Sequence, residues 1–208
     1  MGIGTAVAYN LFKPLQEKDT EKINDIISVL GFLYKKIGIF IFIAALIISG
    51  FLPFIFKETI IPIGIIYFAF FSILFSSLCS YFINYKQILL TADQKNYLVT
   101  KYLQSALLLK TIIQIIIAYT LQNYYLWIAL EIIAATLSCV LLNWKINKEY
   151  TWLKVSISRG KEAYPKNMQI ITHTKQIFIH KFKDFLLSQS DQILIFAFVS
   201  LKMVAYYG

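Results

Sequence analysis

An all-α, polytopic membrane protein is the fold class this sequence predicts, on three observations. Hydrophobic residues make up 58% of the 208-residue chain and charged residues only 15%, with a mean hydropathy of +0.64; soluble domains run near one-quarter charged. The apolar residues fall in long uncharged runs, each near the roughly 20 residues that cross a bilayer core. Basic residues crowd into every second loop between those runs, the asymmetry that sets membrane topology.

The chain opens on Gly2 to Phe12, an apolar stretch of about half a span without the basic start or cleavage site of a signal peptide. Gly2, Gly4, Ala6 and Ala8 form two small-xxx-small pairs there, which predict close helix packing. No strand precedes these glycines and no Lys-Ser/Thr follows, so a nucleotide loop is not indicated. Asp19 and Thr20 can cap a helix whose Ile23, Ile26, Ile27, Leu30 and Leu33 keep helical spacing. The expectation is an amphipathic helix on the inner membrane face that leads into the first full span, Gly38 to Phe56.

Ile60 to Tyr85, Tyr102 to Gln122 and Leu126 to Trp144 predict three more spans, and Phe185 to Leu201 a fifth. Seventeen of the 20 basic residues lie in alternate segments, five before Gly38, three between Lys86 and Lys101, and nine from Lys145 to Lys183. The turns at Lys57-Glu58 and Gln122-Asn123 carry one lysine between them, which puts the three basic segments in the cytoplasm. The net charge of +9 is thus topological, and no nucleic-acid partner is expected. Trp127, Trp144, Tyr150 and Trp152 are expected at the membrane interfaces. The segment from Lys145 to Lys183, with Gly160 and Pro165, is expected to link two halves of something larger.

Three ionisable residues fall within the spans, Lys110, Glu131 and Asp191. Each costs about 2.5 to 3.5 kcal/mol at a helix centre on insertion scales. The span of Asp191 also carries Ser188, Gln189, Ser190 and Gln192, so it should pack among helices or line a wet cavity. Two readings of Asp191 stay open, a structural hydrogen-bonded carboxylate or part of an ion or substrate path. Lys110 and Gln114 are one helical turn apart and share a face. A direct Lys110–Glu131 pair needs a helix offset, because Glu131 stands about seven residues nearer the outer surface by the apolar runs. Lys110 presenting positive charge to an anionic substrate, or reaching for the interface, are the other readings.

Cys79 and Cys139 sit in apolar runs without any CxxC or Cys/His partner, and are expected to pack as small apolar residues. His173 and His180 lack a second ligand at useful spacing and read as interfacial polar residues. No nucleophile–His–carboxylate set or paired carboxylates occur in a loop, so neither an enzyme, a metal site nor a cofactor is expected.

Three segments carry a resemblance. Tyr9-Asn10-Leu11-Phe12-Lys13-Pro14-Leu15, Tyr85 to Tyr97 (YKQILLTADQKNY) and the stretch around Ser188-Gln189-Ser190-Asp191-Gln192-Ile193 resemble the second helix, the loop after the fourth helix and the seventh helix of polysaccharide (O-antigen type) flippases. These belong to the multidrug/oligosaccharidyl-lipid/polysaccharide exporter superfamily. Gln192 departs from the asparagine usual in the third motif. The resemblance implies an incomplete two-lobe exporter fold: about five full transmembrane helices plus a partial N-terminal one. Residues 1–147 would be the N-terminal lobe without its first helix, 148–176 a cytoplasmic inter-lobe linker and 177–208 the first helix of the second lobe. It also implies a flippase, monomeric at full length, in the bacterial cytoplasmic membrane. Its partners would be membrane lipids and its cargo, an undecaprenyl-pyrophosphate-linked oligosaccharide. Asp191, Ser188 and Gln192 would serve the central cavity, and Lys110 with Gln114 would meet the pyrophosphate. A cation-coupled drug exporter of the same superfamily and a non-functional gene fragment are the alternatives. A membrane glycosyltransferase or polymerase would need charged clusters on the outer turns, which are nearly bare.

Overall fold

A computed structural model describes residues 2–57, 61–165 and Lys183. It is all-helical. In chain order the elements are α1 (Gly2–Glu17), α2 (Thr20–Ile55), α3 (Ile63–Phe82), a 3-10 turn (Asn84–Lys86), α4 (Gln87–Ala92), α5 (Asn96–Thr120), α6 (Tyr124–Glu149) and α7 (Ile157–Ala163). Four of these, α2, α3, α5 and α6, are long and apolar enough to cross a membrane. The chain is a multi-pass membrane protein. The fifth expected span, Phe185 to Leu201, lies outside the described residues, as do His173 and His180.

Helix starts follow local chemistry. The Asp19 carboxylate accepts the Lys22 backbone N–H at 2.9 Å, the expected cap of α2. Asn123 does the same for α6, accepting from Tyr125 and Leu126 at 3.0 and 3.2 Å. The tight turns before these caps use Lys18 at φ 56° and Gln122 at φ 49°. Pro53 lies inside α2 and lacks the N–H that would bond Ser49, one turn earlier. The freed Ser49 carbonyl accepts instead from the Tyr67 hydroxyl of α3 at 3.0 Å, so the proline defect becomes an interhelix bond.

Compared with the apolar runs, three helices are longer, and each gains most of its length at the inner end. α5 begins at Asn96 rather than Tyr102, and α6 continues to Glu149 rather than Trp144. α2 begins eighteen residues before Gly38 and forms one helix of 36 residues, about 54 Å at 1.5 Å per residue, against about 30 Å of hydrocarbon. This corrects the expectation of an amphipathic helix resting on lipid. Its apolar stripe faces protein: Ile23, Ile26, Ile27 and Leu30 are buried with Val7 and Leu11 of α1, Leu89 and Leu90 of α4, and Leu142 and Ile146 of α6. The packing expected of the small-residue start is present at Gly4, where a Cβ would stand 3.2 Å from Ile88 of α4.

The segment after α6 folds back onto α2 as far as it is described. Tyr150, expected at a membrane interface, is 5% exposed and part of the inner core, with its ring against that of Trp152. Trp127 and Trp144 are half-exposed on the helix surface. α7 crosses α2 so closely that a Cβ on Gly160 would fall on the Ser28 carbonyl, and only glycine fits there.

Candidate functional site

Among the described residues, side-chain ion pairs and interhelix polar bonds concentrate at two places. The first is the α5–α6 seam within the membrane. Lys110 Nζ meets Glu131 Oε2 at 2.7 Å, and their side chains are 14% and 34% exposed. Gln114, 6% exposed, donates from Nε2 to the Trp127 carbonyl at 3.0 Å. The shared face of Lys110 and Gln114 is thus turned onto α6. The pair that needed an offset forms because α6 starts at Tyr124, earlier than the apolar run suggests. Lys110 stands ten residues before the end of α5 and Glu131 seven into α6. The height difference is about three residues, or about 4.5 Å, which a lysine spans. Both ions are neutralised in place, which is what low-dielectric surroundings demand. Of the readings the sequence left open for Lys110, the direct pair with Glu131 is the one seen here.

The second place is the inner end, where the loop segments meet. Tyr150 donates its hydroxyl to Asp93 Oδ2 at 2.7 Å. Lys95 bridges Asp93 and Glu149, both at 3.0 Å, and lies over the Tyr150 ring. Burial and then the Asp93 hydrogen bond push the Tyr150 hydroxyl above its ordinary range, and Asp93 followed by Glu149 raises Lys95. A turn away, Asn24 and Ser28 on α2 accept the backbone N–H groups of Lys154 (2.8 Å) and Ser156 (3.4 Å). Arg159 closes this strap by pairing with Asp25 and Glu21, and Glu21 foremost holds the guanidinium in its charged form. These bonds satisfy backbone groups of a segment without regular structure, so they fix it to α2.

Five basic residues are half-buried among the described residues: Lys86, Lys95, Lys110, Lys145 and Arg159. Four of them hold a carboxylate. Lys86 holds none; its contact is the Asn147 side-chain oxygen at 3.4 Å, and burial lowers its pKa.

Of the residues singled out in the sequence, Lys110 and Gln114 come together, and Asp191, Ser188 and Gln192 lie outside the described residues. Sequence reasoning missed Lys86, Tyr150 and Arg159. One signal was present for the last, which is the sole arginine among 20 basic residues and the cation best suited to gripping two carboxylates. No family model, curated protein or solved structure matches this chain.

Proposed function

We propose that this chain belongs to a flippase that carries an undecaprenyl-pyrophosphate-linked oligosaccharide across a bacterial cytoplasmic membrane. The observation that carries the reading is where two of its three family-like motifs meet. Leu11 and Leu15 of the first motif share one core with Leu89, Leu90 and Ala92 of the second, and Asp93 and Lys95 of the second anchor that core to α6. Motifs separated by some 75 residues thus serve one inner junction, which gives the recurring residue types a common physical reason. In the two-lobe exporter arrangement this junction would hold one lobe rigid while it rocks against the other about a central cavity. Asp191 with Ser188 and Gln192 would face that cavity. Lys110 is assigned to holding α5 on α6 rather than to the pyrophosphate.

That neutralisation is also what favours the second reading, a cation-coupled drug exporter of the same superfamily, whose cavity needs no basic group. Proteoliposomes carrying the protein and a lipid-linked oligosaccharide separate the two. Oligosaccharide becoming accessible to an external lectin supports the flippase, and its loss in Asp191→Ala but not Asp191→Asn assigns hydrogen bonding to that residue. Extrusion of a cationic dye with no gain of lectin access selects the exporter.

A further inference from the structure

We infer that Lys86, with Asn147 and Asn143, forms a phosphate-binding subsite at the inner membrane interface, between the 3-10 turn after α3 and the end of α6. A half-buried ammonium without a counter-ion is costly, and the other four half-buried bases of the described residues each avoid that cost with a carboxylate. Lys86 has only the carboxamide oxygen of Asn147, at a long 3.4 Å. That contact occupies the acceptor of Asn147 and leaves its N–H2 group as a donor directed away from the lysine's bond. Asn143 stands one turn earlier on α6, and among the described residues no carboxylate pairs with Lys86.

An ammonium beside a carboxamide donor, with a second carboxamide one helical turn away in sequence, is the complement of a phosphate oxygen rather than of a metal or a cation. The location fits the same chemistry. Lys86 follows the inner end of α3, and Asn147 lies in the last turn of α6, at the depth where the basic loops place lipid headgroups. Lys148 lies over the Trp144 ring on the neighbouring surface and is exposed, so it adds field without sharing the Lys86 contact. The phosphate has two possible sources, a lipid headgroup or a free pyrophosphate-type group. The inference needs only the fold and reads binding, so it stands or falls separately from the transport proposal.

The test uses the purified protein in a neutral detergent, titrated with phosphatidylglycerol (read by native mass spectrometry) and with inorganic pyrophosphate (read by thermal shift). Lys86→Gln is expected to weaken binding at least about tenfold, the worth of one charge-assisted contact, while Lys86→Arg retains most of it and Lys148→Gln is unchanged. Binding of phosphatidylglycerol alone identifies a headgroup, and binding of pyrophosphate as well identifies the phosphate itself. No binding of either probe, equal binding by Lys86→Gln, or an equal loss in Lys148→Gln would overturn the inference, the last by reducing it to general surface charge.

Discussion

The inner and outer ends of this helical bundle are stabilised by different media. At the inner end the apolar side chains meet one another, and Leu11, Ile27, Leu89, Leu90 and Leu142 are fully buried. Along the outer halves of the spans the same residue types face outward: Ile47 is 62% exposed, Ile116 54% and Leu121 59%. The difference lies in what covers them, protein at one end and lipid at the other. A bilayer supplies no hydrophobic drive between helices, so the spans depend on close packing and a few polar bonds. The inner end lies partly beyond the hydrocarbon and folds by the rules of a soluble core.

The largest effect should come from creating a cavity at the inner end. Ile27→Ala is expected to cost about 2–5 kcal/mol, whereas Ile47→Ala in the outer half of the same helix should stay within about 0.5 kcal/mol. Thermal unfolding of both variants in one detergent checks this, and equal losses would remove the distinction between the two ends. Next in size is the polar seam of α5 and α6. Glu131→Gln leaves the Lys110 charge unpaired and should cost about 1–3 kcal/mol, less than a fully buried pair because Glu131 is 34% exposed. Lys110→Met combined with Glu131→Leu should recover most of that loss, and a double-mutant cycle that adds without coupling would contradict the pairing.

The smallest effect is a pH dependence confined to the inner end. The Tyr150 hydroxyl and Lys95 both have folded-state pKa values raised above their ordinary ones. Their contribution is therefore full below about pH 10, where the unfolded groups stay protonated, and falls as pH rises beyond it. Melting curves from pH 8 to 11.5 should show a decline that is shallower in Tyr150→Phe; parallel slopes would show that the Asp93–Tyr150 bond is not its source.

Much of this was legible in the sequence. Lipid demands long apolar runs, so the four described spans are recoverable from hydropathy alone, and the Asp19 cap follows from residue type. The inner extensions of α2, α5 and α6 were not legible, because charged residues such as Lys95, Lys145 and Glu149 read as loop until their partners are known. The stripe of Ile23, Ile26, Ile27 and Leu30 was read correctly as a face, but periodicity does not say whether lipid or protein covers it. The Lys110–Glu131 pair needed an offset of about seven residues by the apolar runs, which shrinks to about three once the facing helix ends each move by two residues. Arg159 and Tyr150 act through contacts well over a hundred and over fifty residues away, respectively, which no local pattern encodes.

The measurement that tests the account most directly is the sidedness of the two ends. Gln122→Cys and Lys154→Cys, each in a Cys79→Ala/Cys139→Ala background, can be probed with a membrane-impermeant maleimide in intact cells and in inverted vesicles. The account predicts that position 122 labels in intact cells and position 154 only in inverted vesicles. Labelling of both positions from the same side, or in the reverse order, would contradict the topology on which the distinction between the two ends rests.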